Sequence, residues 1–188
     1  MFINPILKKK LMAQHKYPNG IPINDIPSSK EFSIYQKILV IPHGIGSSNV
    51  NHLKNIHNIT LADNIDPTYT SNDQSFEAVV KTIEDLQPAL VIAGSRGVEL
   101  VSRLVSVNSE QRFMLLGGVH FDGVMNGENK ILLVHGTNDP NEKIEIVRGI
   151  TYNNKSRVRL VEVPSKSHDL NFDNKEAIIN LINYSLSM

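Results

Sequence analysis

The chain has 188 residues, 40% of them hydrophobic and 20% charged, the make-up of one folded domain rather than a disordered segment. Nineteen Lys and Arg balance nineteen Asp and Glu, so no net field draws the chain to nucleic acid or to an anionic membrane surface. Cysteine is absent, which excludes disulfides, thiolate metal sites and a cysteine nucleophile together.

In residues 1–36 the apolar positions precede Lys8, Lys9 and Lys10, the reverse of a secretory signal. No run reaches the roughly 18 apolar residues that a membrane helix needs. A cytoplasmic protein is the expectation. Pro18-Asn19-Gly20 marks a turn, and Pro22 and Pro27 confine any strand there to a sheet edge. Residues 1–36 read as an N-terminal extension, with an edge hairpin as its one candidate element, and 37–188 as the main domain.

From Lys37 onward, apolar runs at 38–42, 59–63, 89–94, 113–118, 131–136 and 158–163 alternate with stretches of helical period. Residues 38–41, 89–92 and 131–134 are continuously apolar, as parallel strands covered on both faces must be. Arg159 and Glu162 interrupt the last run, which places it toward an edge of the sheet. Phe76, Val79, Val80 and Ile83 share a helix face, with Asp73 or Ser75 as its N-cap. Val98, Val101, Leu104 and Val105 share another, and so do Ala177, Ile178, Leu181 and Ile182, with Asp173 and Glu176 spaced like a capping box. This alternation predicts an α/β fold: a mostly parallel central sheet of about six strands, helices on both faces and right-handed crossovers.

The stretch 89–104 carries the strongest chemical signal. A buried-type strand runs into Ala93-Gly94-Ser95-Arg96-Gly97, and an amphipathic helix follows at once. Such a turn forces its serine into a strained backbone and needs small residues two positions either side, here Ala93 and Gly97. It also lifts the hydroxyl to the start of a helix, where N–H groups favour a developing negative charge. The bland alternative is a serine that only caps the helix.

A serine hydroxyl needs a base to take its proton and a carboxylate to orient that base. In a parallel sheet these partners fall past the C-terminal ends of later strands. Asp139 follows the strand at 131–136, and His168 follows the strand at 158–163, giving the chain order Ser, Asp, His. Asp139 before Pro140 could instead be an ordinary N-cap of a helix starting near 140, and Asp122 is the alternative acid. The strand at 38–42 ends in His43-Gly44-Ile45-Gly46, a loop suited to donate one N–H to an oxyanion through Ile45 while Arg96 donates the other. It lacks the third glycine of a dinucleotide loop and has no Walker lysine.

These motifs (HG-x-G, AGSRG, HGTND and SHD, each after a strand) resemble the α/β-hydrolase superfamily, in particular small lidless members similar to dienelactone hydrolase. The likeness spans about residues 37–188. It implies Ser95 as nucleophile, Asp139 as acid, His168 as base and the Ile45 and Arg96 backbones as oxyanion hole. His43, Gly44 and His120 would border the substrate; His43 and His135, each before a glycine, also suit loop-fixing hydrogen bonds. Three departures stand out: residues 1–36 replace the usual opening strands, Val98 stands where many relatives have a second glycine, and Asn141-Glu142-Lys143 replaces apolar residues.

The implied activity is serine hydrolysis of a carboxylic ester or thioester through an acyl-enzyme. An acyltransferase or cyclase with the same triad, or a catalytically silent binding protein of this fold, are the alternatives. The expected partner is a small-molecule acyl substrate, with no nucleic acid or membrane partner and no cofactor. His52 and His57 do not share a helix face at metal spacing and there is no HExxH, so no metal is expected. About a dozen residues separate the runs at 113–118 and 131–134, too few for a helical lid. The site should therefore be open and shallow.

Overall fold

The computed structural model describes residues 18–28, 36–41, 59–62, 73–106, 110–118, 124, 127–164, 166, 168, 170, 172 and 175–188. Among them run strands β1 (Ile21–Pro22), β2 (Ile38–Ile41), β3 (Ile59–Leu61), β4 (Leu90–Gly94), β5 (Phe113–Leu116), β6 (Ile131–Gly136) and β7 (Val158–Val163). The helices are α1 (Asp73–Leu86), α2 (Arg96–Ser102), α3 (Ile144–Asn153) and α4 (Lys175–Ser187).

The strands form one seven-stranded sheet in the order β1-β7-β6-β5-β4-β2-β3, and every neighbouring pair is parallel. A parallel sheet is stable only when both faces are covered, and alternate residues of each strand feed two separate cores. Leu39, Ile41, Val91, Ala93, Leu115 and Leu133 face α1, α2 and α3 through Val79, Val98, Val101 and Val147. Ile38, Val40, Ile92, Met114 and Val134 face the other way, onto Ile178, Leu181 and Ile182 of α4. The chain lays β3 beside β2, crosses back to β4, and then adds β5, β6 and β7 in turn. The strand order therefore reverses between β2 and β4, the place where a parallel sheet opens a crevice at its C-terminal edge.

Several expectations need correction. The sheet has seven strands rather than six, because Ile21–Pro22 adds one from the N-terminal segment. That strand lies at the sheet edge and runs parallel to β7; the rest of the expected edge hairpin lies outside the described residues. The run at 158–163 lies beside that edge strand, toward the edge as Arg159 and Glu162 suggest. Helix α1 already includes Asp73 and Ser75, so neither stands as its N-cap. The second helix stops at Ser102, and Leu104–Ser106 continues as a 3-10 turn. Asp173 lies outside the described residues, and so does the capping box proposed for it. Among the described residues, no helix is long and apolar enough to cross a membrane.

Candidate active site

Ser95 stands directly after β4, at the switch point. Its backbone has φ 47° and ψ −114°, a left-handed geometry that L residues adopt only under constraint. Two hydrogen bonds impose it: the Ser95 N–H donates to Leu116 O at 2.9 Å, and Ser95 O accepts from the Val98 N–H at 3.0 Å. Small neighbours permit it. A Cβ added at Gly97 would stand 3.3 Å from the Ile41 carbonyl oxygen and 3.6 Å from the Ala93 Cβ. Ser95 is the N-cap of α2, yet its hydroxyl makes no capping bond. It goes elsewhere.

The Ser95 Oγ lies 2.7 Å from His168 Nε2, and His168 Nδ1 lies 2.9 Å from Asp139 Oδ2. A carboxylate only accepts, so Nδ1 carries the imidazole proton and Nε2 is left to accept from the serine hydroxyl. The Asp139 side chain is fully buried, while the His168 side chain keeps 16% of its surface exposed. The pair is thus covered on its acid side and reachable at the imidazole.

Asp139 is not the helix N-cap that its position before Pro140 suggests. Helix α3 begins at Ile144 with Lys143 as its cap. Instead, Asp139 Oδ1 accepts the Asn141 N–H at 2.8 Å and the Glu142 N–H at 3.4 Å, closing a turn and leaving Oδ2 for His168. The acid and histidine loops are joined directly, with Thr137 N–H on Val163 O at 3.1 Å and Asn138 N–H on Lys166 O at 3.0 Å.

His135, at the end of β6, is 1% exposed. Its Nε2–H donates to Glu142 O at 2.8 Å and lies 3.6 Å from Asp139 Oδ2, while Nδ1 has no hydrogen-bond partner among the described residues. Burial pushes its pKa below the ordinary value, although the Glu142 carbonyl and the nearby Asp139 and Glu142 act in the opposite sense. Sequence reading gave His135 a loop-fixing role but missed its closeness to the acid; its position four residues before Asp139 was the available signal.

Arg96, the first residue of α2, is exposed, and an N–H at that position has no acceptor within its own helix. His43, Gly44, Ile45, His120 and Asp122 lie outside the described residues. Among the described residues, no group of three or more His, Asp or Glu could hold a metal ion.

Strand order, the reversal at β2 and β4 and the turn at Ser95 define a class: the chain has the α/β-hydrolase fold. No protein-family model matches it, and no curated protein does. Solved structures do. The esterase domain of a Rhodothermus marinus protein superposes with a TM-score of 0.62 at 15% identity, covering 89% of this chain and 90% of that one. An esterase from a Rhodococcus species gives 0.59 at 8% identity over 82% and 91% of the two chains. An alpha-beta serine hydrolase homologue from Coxiella burnetii gives 0.55 at 14%, over 91% and 88%. Identities this low carry the architecture and nothing finer.

Proposed function

We propose that the protein is a serine hydrolase that cleaves a carboxylic ester or thioester of a small-molecule acyl substrate. The observation that carries this reading is the continuous chain from Ser95 Oγ through His168 to Asp139, at 2.7 and 2.9 Å. The names of the structural neighbours, esterases and serine hydrolases among them, support the same class.

In this reading His168 Nε2 takes the Ser95 proton as Oγ attacks the acyl carbonyl, and Asp139 holds the resulting imidazolium in place. The Arg96 N–H is one oxyanion donor and Ile45 supplies the other from the loop after β2, which starts beside the elbow because Ile41 pairs with Ala93. The same reading assigns His43, Gly44 and His120, all outside the described residues, to the acyl group of the substrate. The imidazolium then protonates the leaving group, water attacks the acyl-enzyme, and the serine is restored. These steps call for no cofactor. The short interval between β5 and β6 fits a lidless member of the fold, similar to dienelactone hydrolase.

Intact-mass measurement after fluorophosphonate treatment tests the proposal. The wild type should gain one adduct, Ser95→Ala none, and His168→Ala should label and turn over activated esters at least about 10⁴-fold more slowly. A wild type that stays unlabelled would remove the hydrolase reading and leave a binding protein of this fold.

A further inference from the structure

The acid turn is closed by a side chain outside the Ser95–His168–Asp139 chain. Glu142 is held on both sides: its N–H reaches Asp139 Oδ1 at 3.4 Å, and its carbonyl accepts the His135 Nε2–H at 2.8 Å. The carboxylate therefore rests on a peptide whose far side is fastened by the imidazole. The same Nε2–H edge stands 3.6 Å from Asp139 Oδ2, the oxygen that serves His168, too far for a hydrogen bond but close enough for its partial positive charge to act. With His135 1% exposed, little water is at hand to replace that bond.

The geometry points to His135 as a positioning residue for the Asp139 carboxylate, locking the turn through the Glu142 carbonyl so that Oδ2 stays aimed at His168 Nδ1. This inference rests on the proposed hydrolase chemistry for its rate effects, but not for its geometric ones. It also gives the two imidazoles separate duties. His168 must exchange a proton. His135 must keep its proton on Nε2, since a ring that donated from Nδ1 alone would release Glu142. Asp139, Glu142, Glu162 and His168 are the ionisable groups that act on or are acted on by it, and the acids among them would favour a second proton that burial opposes.

The test compares His135→Gln, whose amide N–H reaches about as far as Nε2, with His135→Leu, which fills similar space without a donor. His135→Asn, polar but too short to reach Glu142, serves if the leucine variant does not fold. Two quantities are read: kcat and KM with an activated ester, and the low-field NMR proton of His168 Nδ1–H on Asp139. The expected result is a fall of about 10- to 100-fold in kcat with KM unchanged for Leu or Asn, the size that a misplacement of about 1 Å produces. The low-field proton should broaden or vanish in the same variants, and Gln should restore both within about three-fold. A folded Leu or Asn variant with wild-type kcat and an intact low-field proton would overturn the inference, as would a folded Gln variant that rescues neither. If the wild type itself proves inactive, the hydrolase reading fails while the NMR proton still decides the positioning role.

Discussion

At Ser95 the proposed chemistry and backbone comfort make opposite demands. A backbone at φ 47°, ψ −114° costs on the order of 1–3 kcal/mol for a residue with a Cβ. Comparing two substitutions isolates that cost. Ser95→Ala and Ser95→Gly both lose the hydroxyl and its bond to His168, but only glycine relieves the strain, at about 0.5–1 kcal/mol of extra unfolded-state freedom. The glycine variant should therefore be more stable than the alanine variant by about 1 kcal/mol in urea unfolding, with both inactive. Equal midpoints would mean that the turn stores no strain. The strain is also why the residue was legible in the sequence. Only a tight strand-to-helix turn explains small residues at both Ala93 and Gly97, and the 3.6 Å approach from a Cβ at Gly97 to that of Ala93 is the physical form of the pattern. His135 was less legible, because its role depends on a carbonyl seven residues away, and backbone acceptors leave no trace in a sequence.

At the scale of elements, the end of β5 supports the backbones of both Ser95 and His168. Leu116 O holds the Ser95 N–H, and Gly117, at φ +54°, presents its bare Cα to the His168 backbone. A Cβ there would stand 2.8 Å from the His168 carbonyl oxygen. Gly117 cannot withdraw, because its N–H donates to Val134 O at 2.9 Å on β6. Gly117→Ala should therefore displace the histidine loop, slow fluorophosphonate labelling at least about 10-fold and cost about 1–2 kcal/mol of stability. An unchanged labelling rate would show that the loop yields without moving the imidazole. The long central strands were readable because burial on both faces leaves unbroken apolar runs, as in β4 and β6. Strand β1 was not: Ile21–Pro22 has no pattern of its own and is held by Glu162 of β7, whose Oε1 accepts the Gly20 N–H at 2.6 Å. Helix α3 was expected near residue 140 and begins at Ile144, because the Asp139 side chain takes the N–H groups of Asn141 and Glu142 into a separate turn first.

At the scale of the whole molecule, His135 and Glu162, both buried, make stability depend on acidity in separate windows. Burial lowers the pKa of His135 from 6.5, so on acidification the unfolded chain takes up that proton before the folded one does. Stability should begin to fall near pH 6.5 and keep falling until the pH passes the lower pKa of the folded state. Glu162 acts at a more acid range. Burial alone would raise its carboxyl, but bonds from Arg148 Nε and Nη2, at 2.8 and 2.7 Å, and from the Gly20 N–H bring it below its ordinary value of 4.5. Its contribution is complete above the unfolded pKa and is lost as pH drops through the folded one. That loss loosens β1, β7 and α3 together, because Glu162 joins all three. His135→Gln should therefore flatten the stability curve just below pH 6.5 and leave the lower window intact. Glu162→Gln should cost about 2 kcal/mol at neutral pH and flatten the curve below about pH 4.5 only. Urea midpoints measured from pH 3 to 8 for the three proteins separate these effects. A wild-type curve that stays level from pH 7 to 5 would mean that His135 takes up its proton equally in both states and that burial does not lower its pKa.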